Sequence, residues 1–198
     1  MTDAPNAGAR RRAAAIAGHT GDVSIARTLL ADREPVVRAT ALGALARSRA
    51  LDTATLMQAL NDEDPTVRRR AAELAAARDD VPLLPLLDDI DESVVEMAAF
   101  ACGERESAEP AVVARLSALA QEHRDALVRE AAVAALGAIG DTAGLPAILA
   151  ATRDKPAVRR RAVIALAPFD GPEVEAALRT ALGDRDWQVR QAAEDLLA

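Results

Sequence analysis

The chain has 198 residues and is 51% hydrophobic and 28% charged, with an aromatic share of only 2%: two Phe, one Trp and no Tyr. That apolar content excludes intrinsic disorder. The formal net charge of −7 argues against a dedicated binder of nucleic acid or of an anionic membrane. About a quarter of the residues are Ala, the best helix former and one that leaves little room between elements. The core is therefore predicted to be close-packed helices built without rings.

The N-terminal stretch is polar and then basic, Met1 to Arg12, and the apolar segment Ala13–Gly18 after it is too short for a signal-peptide core. No run approaches the roughly 18 apolar residues that a bilayer span needs. Cys102 is the single cysteine and forms no internal disulfide, which fits a reducing compartment and a cytoplasmic protein. Residues 1–8 read as a flexible N terminus and residues 9–198 as one domain.

From residue 9 onward one phrase recurs. A half copy, Ala9-Arg10-Arg-Arg-Ala13, is followed by Pro35-Val-Val-Arg38-Ala-Thr-Ala-Leu42 and Pro65-Thr-Val-Arg68-Arg-Arg-Ala-Ala72. Then come a degenerate copy, Ser93-Val-Val-Glu96-Met-Ala-Ala99, and Leu127-Val-Arg129-Glu-Ala-Ala132. Pro156-Ala-Val-Arg159-Arg-Arg-Ala162 and Trp187-Gln-Val-Arg190-Gln-Ala-Ala193 complete the series. A period of about 30 residues along the whole chain is the signature of a solenoid. Each period holds two predicted helices. The first type covers Asp52–Leu60, Asp80–Leu87, Asp141–Ala151 and Pro172–Leu182, with Asp52, Asp80 and Asp141 placed as N-caps. The second type opens at the Val-Arg phrase, with Pro35, Pro65 or Pro156 in a first turn that tolerates proline.

The pattern Asp-x-x-x-x-Val-Arg-x-x-Ala-x-x-Ala-Leu followed by Gly-Asp resembles the HEAT-like repeats of the phycobilisome-lyase type. Ala138-Ile139-Gly140-Asp141 and Leu145-Pro-Ala-Ile-Leu149 match that family's linker and first helix. The resemblance runs from residue 9 to residue 198 and implies an all-α fold, a right-handed α-solenoid (an alpha-alpha superhelix) of about six helical-hairpin repeats. It also implies that Asp32/Arg38, Asp62/Arg68 and Asp184/Arg190 form a ladder between turns, each Arg taking an acid from its own turn. His123 in place of Asp, Glu96 in place of Arg and a shortened fifth turn are expected to loosen the stack locally.

HEAT-like families place the second helix on the concave side. With Val67, Ala71 and Leu74 buried, the opposite face of that helix carries Arg69, Glu73 and Ala76. The equivalent positions include Arg11/Ala15/Gly18, Ala39/Gly43/Ala46, Met97/Ala101/Glu104, Glu130/Ala134/Gly137 and Arg160/Ile164/Ala167, a floor of small residues with scattered charges. Arg69, Met97, Glu130 and Arg160 are the predicted partner contacts.

The function implied is a non-enzymatic scaffold or adaptor for a protein or peptide, without cofactor or metal. The alternatives are a nucleic-acid-associated HEAT-like protein and a bilin-lyase-like enzyme or chaperone. The three arginine clusters split over different helix faces and form no continuous phosphate track. HEAT-like deoxyhypusine hydroxylases hold di-iron with repeated His-Glu pairs, whereas here His19 precedes Thr20 and His123 precedes Arg124. Both histidines fall near repeat turns. Cys102 reads as a buried, inert thiol and Trp187 as a packing residue. A homodimer through the last helix, Trp187–Ala198, would cover Val189, Ala193, Leu196 and Leu197.

Overall fold

The computed structural model describes residues 6–198. Among them lie twelve α helices and no strand, and no helix is long and apolar enough to cross a membrane. The chain divides into two compact units, one ending at Pro82 and the other running from Leu83 to Ala198.

Unit 1 contains α1 (Ala7–Thr20), α2 (Val23–Leu29), α3 (Pro35–Arg47), α4 (Thr53–Ala59) and α5 (Pro65–Ala75). Helix α1 is capped by the Asn6 side chain, which accepts from the Ala9 amide at 2.9 Å. Residues 7 and 8 of the expected flexible terminus are therefore helical, and residues 1–5 lie outside the described residues. The short helices α2 and α4 start at Asp22 and Asp52, whose carboxylates accept the amides of Ile25 and Thr55. Helices α3 and α5 open on Pro35 and Pro65, where the missing N–H has no intrahelical partner to lose. α1 packs on α3 and α3 on α5, forming the second-helix row, while α2 and α4 cover its other side.

Unit 2 begins with a 3-10 turn, Leu84–Asp88. The sequence predicts an α helix over 80–87, but Pro82 and Pro85 remove amide donors at both ends of that short segment. Asp80 does not cap a helix; it accepts hydrogen bonds from Arg78 and Thr53 within unit 1. The unit continues with α6 (Glu92–Gly103), α7 (Pro110–Glu122), α8 (Ala126–Ile139), α9 (Leu145–Ala151), α10 (Pro156–Ala165), α11 (Pro172–Ala181) and α12 (Trp187–Leu197). α6, α8, α10 and α12 form its second-helix row, each packing on the next. Asp141 caps a single 3-10 turn, Thr142–Gly144, ahead of α9. In α12, Val189 and Ala193 are already buried inside the unit, while Leu196 and Leu197 are exposed.

The core is aliphatic. Leu42, Leu45, Leu56, Leu116, Leu136, Ile148 and Leu166 are fully enclosed, with Ala filling the seams. Phe169 is the one buried aromatic. Glycine decides how closely the second helices approach. A Cβ on Gly18 of α1 would lie 2.9 Å from the Ala44 Cα of α3. One on Gly137 of α8 would lie 2.7 Å from the Ala165 Cα of α10, and one on Gly103 of α6 would lie 3.0 Å from the Ala135 Cα of α8. At these seams the neighbour is backbone, so the small residues exist to let helices touch.

Candidate functional site

The arginine column is a ladder, with a connectivity that differs from the one expected. Arg38 donates Nη1 to the Asp32 carbonyl of its own turn at 2.9 Å. Its Nε and Nη2 reach the Asp62 carboxylate of the following turn at 2.9 and 2.6 Å. Arg159 repeats this with the Asp154 carbonyl and the Asp184 carboxylate, all at 2.8 Å. Arg10–Asp32 and Arg129–Asp154 are further rungs, each closest at 2.6 Å. An arginine's own turn thus supplies a carbonyl, and the acid comes from the next repeat. The fork geometry of guanidinium suits this double task.

Three rung acids also accept the amide two residues on, for example Asp32 from Glu34 at 2.9 Å and Asp184 from Asp186 at 2.8 Å, while Asp154 accepts the amide of the next residue, Lys155, at 2.6 Å. The hydrogen bonds from Arg10, Arg129 and Arg159 hold Asp32, Asp154 and Asp184 below the usual carboxylate range, with burial working against them. At Asp62 burial is the largest single influence and pushes upward. The Arg38 hydrogen bond, the Asp64 amide and the charges of Arg38 and Arg68 outweigh it together, so this acid also ends low. These charges fasten turns to one another and are spent on structure.

One rung is inverted. Glu96 stands in the arginine position and is exposed, and His123 stands in the acid position. His123 Nδ1 accepts from the Asp125 amide at 3.1 Å, replacing the carboxylate's local bond, and its carbonyl still takes Arg129 Nη1 at 2.7 Å. Arg124 pairs with Glu92 at 2.6 Å beside it. The turn therefore keeps its bonds without an Asp. The shortened fifth turn likewise keeps both rungs at Asp154.

On the face of unit 1 away from α2 and α4 lies an open groove of about 310 Å3. Helix α1 contributes Arg11, Ala15, Gly18 and His19; α3 contributes Val36, Ala39, Thr40, Gly43, Ala44 and Arg47; α5 contributes Thr66 and Arg70. Its floor is small because the α1–α3 seam requires it to be. Gly43 serves a different purpose. The nearest atoms to a Cβ there would be Arg70 Nη2 at 2.5 Å and Arg70 Cζ and Nε at 3.3 Å, so the guanidinium lies directly over the glycine. Arg70 Nη1 is held by Glu73 at 2.7 Å. Arg47 Nη1 lies against the His19 ring, 3.2 Å from Nε2. Arg11 makes no ion pair among the described residues.

Of the predicted contacts, Arg69 is exposed on α5 but does not line this groove; Arg70, one residue on, does. The triplet positions Arg11, Ala15, Gly18, Ala39 and Gly43 all line it. In unit 2, Met97, Glu130 and Arg160 are half-buried on α6, α8 and α10. Glu130 pairs with Arg161 at 3.6 Å, and Arg160 has its Nε buried without a hydrogen-bond partner. The same helices expose Phe100 at 50%, Leu127 at 60% and Ile164 at 42%. Trp187, expected to pack, is 65% exposed at the first position of α12. Cys102 is buried, and desolvation pushes its thiol up to about 11 despite Arg105 nearby. Sequence reasoning missed Arg47, Arg70 and His19 as groove residues; a glycine in mid-helix at position 43 was the available signal.

The HEAT repeats model matches residues 80–157 and again 145–198, more than half of the chain. The chain belongs to the HEAT-repeat family. No curated protein sequence matches it. Among solved structures, the X-ray structure of Escherichia coli YibA aligns over 98% of this chain and 77% of its own, at 21% identity with a TM-score of 0.75. A designed armadillo repeat protein in complex with the peptide (KR)4 aligns over 95% of this chain and 96% of its own, at 19% identity and a TM-score of 0.60. Human deoxyhypusine hydroxylase, in complex with glycerol, aligns over 98% and 80% at 22% identity and 0.50. These likenesses establish the fold, an α solenoid of the HEAT and armadillo type. The family match is to HEAT repeats in general, and the phycobilisome-lyase type rests on the sequence phrase alone.

Proposed function

We propose that this HEAT-repeat chain is a non-enzymatic interaction module that holds a partner polypeptide against the second helices of its units. The groove between α1, α3 and α5 carries the reading. It is open, its walls carry side chains that the ladder does not use, and its size is at the lower end for ligand pockets. Rigid helix rows fastened at their turns suit display of such a surface. The designed armadillo neighbour, which holds a peptide, lends the same architecture that use. The repeated His-Glu pairs expected of a HEAT-like hydroxylase have no match in this sequence, whose two histidines are followed by Thr20 and Arg124.

Arg69, Met97, Glu130 and Arg160 remain the proposed contacts outside the groove. A photo-crosslinking residue placed at each of these positions, with Ser24 and Ala111 on first-type helices as controls, tests the reading in the native host. The expected result is one partner polypeptide captured from the second-helix positions and not from the controls. Capture from 24 and 111 alone, or equally from all positions, overturns it.

A further inference from the structure

We infer that the groove of unit 1 is a carboxylate-selective docking site that takes a short acidic segment of the partner polypeptide. The inference rests on the interaction-module reading and adds the chemistry of the partner. The chain as a whole is acidic, with 31 Asp and Glu against 24 Lys and Arg. The groove inverts that balance: three arginines and a histidine line it, and no carboxylate does. Glu73, which touches Arg70, is the acid that approaches it.

These arginines differ from their immediate neighbours in what they do. Arg10 and Arg38 are consumed by Asp32 and Asp62 in the ladder. Arg11, one residue from Arg10, makes no ion pair among the described residues, and Arg47 lies against a histidine ring. Arg70 is tied at one nitrogen and lies across Gly43. Guanidinium forks bind carboxylates in bidentate fashion.

The remaining walls are Ala, Gly, Val and Thr, so only small side chains fit between the acids that reach the arginines. A volume of about 310 Å3 accommodates a few side chains, not a folded domain. A nucleic acid fits less well. Phosphate-backbone binding gathers strength from many contacts along a track, whereas these cations share one cavity in a protein of net charge −7.

The test is fluorescence anisotropy of the full chain at low salt with a labelled, alternating Glu-Ala octapeptide. A Lys-Ala octapeptide and an oligothymidylate of matching length serve as comparators. The Glu-Ala peptide is expected to bind and the Lys-Ala peptide not to. Arg11→Glu, Arg47→Glu and Arg70→Glu should each weaken binding about tenfold or more, the loss of one charge-assisted contact. Arg12→Glu, which changes net charge equally from an exposed position beside Arg11, should change it less than about twofold. Circular dichroism confirms that each variant is folded, and Gly43→Ala gives an uncharged second probe, weakening binding by displacing Arg70.

Equal binding of acidic and basic peptides overturns the inference, as do equal losses from Arg11→Glu and Arg12→Glu. Tighter binding of the oligothymidylate overturns it in favour of a phosphate ligand. The crosslinking experiment stands apart from this one. Partner capture with no acidic preference keeps the module and discards the carboxylate site; acidic binding without capture at 69, 97, 130 and 160 keeps the carboxylate site and discards those four contacts.

Discussion

Units 1 and 2 are built from the same helical hairpin, yet their second-helix faces carry different chemistry. The fastenings repeat. Unit 1 has rungs Arg10–Asp32 and Arg38–Asp62, and unit 2 has Arg129–Asp154 and Arg159–Asp184. The Gly18–Ala44 contact in unit 1 returns as Gly137–Ala165 in unit 2. The exposed face does not repeat. Where α1, α3 and α5 present arginines over Ala39 and Gly43, α6, α8 and α10 present Phe100, Leu127 and Ile164. Inside one chain, what recurs is what the hairpin needs to stack, and what varies is left free for recognition.

The sharpest way to break that division is at the rungs. Arg159 is buried, and its pair with Asp184 leaves little of either side chain in water. Arg159→Ala strands a half-buried carboxylate and removes one turn carbonyl contact, to Asp154, so it is expected to cost about 3 kcal/mol in urea denaturation. Glu96→Ala, in the inverted rung where the side chain is exposed, should stay within about 0.5 kcal/mol. Equal costs would mean that the ladder is not the fastener.

Acid titration tests the same rung in another way. Asp184 titrates below its ordinary 3.8 because Arg159 donates to it. A depressed folded value contributes stability that is complete above the unfolded pKa and disappears as pH falls through the folded one. The deficit of Arg159→Ala relative to the parent chain should therefore shrink as the pH is lowered from about 5 to about 2. A deficit constant with pH would assign the loss to packing of the arginine stem.

Much of this was legible in the sequence, and the failures have identifiable causes. The period, the two-helix hairpin and the Asp–Arg spacing followed from the recurring phrase. Spacing does not say which turn an arginine reaches, so the acid was assigned one repeat too early. On α5 the choice of Arg69 over Arg70 came from taking Val67, Ala71 and Leu74 as the buried face. The structure buries Val67, Ala71, Ala72 and Ala75, with Leu74 only half-covered. At 100° per residue that rotates the outward direction by about 60°, toward Thr66, Glu73 and Arg70. Ala is at home on either face, so an Ala-rich helix leaves its own rotation underdetermined. Trp187 failed for the opposite reason: a large ring invites a packing assignment, and the first position of α12 leaves it in solvent.

The glycines sharpen the comparison at smaller scale. Gly137→Ala drives a methyl against the Ala165 Cβ, Cα and carbonyl oxygen at 2.6, 2.7 and 3.0 Å, atoms that can yield only if α8 and α10 separate. Overpacking of that kind costs about 1–3 kcal/mol, and the gain in helix propensity of about 1 kcal/mol offsets part of it. The expected net loss is about 0–2 kcal/mol in the same urea measurement.

Gly43→Ala should have the smallest effect and the opposite sign. Its Cβ meets only the far end of Arg70, a flexible side chain about a third exposed, so the methyl displaces a guanidinium instead of a backbone. Replacing mid-helix Gly gains about 1 kcal/mol. Disturbing the surface pair Arg70–Glu73 returns no more than about 1 kcal/mol and usually less. The net expectation is a stabilisation of a few tenths of a kcal/mol, read as a rise in Tm of about 1–2 °C. In an Arg70→Ala background the obstacle is gone, and Gly43→Ala should realise the full gain of about 1 kcal/mol. The difference between the two backgrounds is a coupling energy between residues 43 and 70. A coupling of zero would show that Arg70 does not rest over Gly43 in solution, and the groove would lose one of its arginines. A destabilising Gly43→Ala in both backgrounds would make position 43 a seam like position 137, and the distinction between fastening and recognition would fail where the two lie closest together.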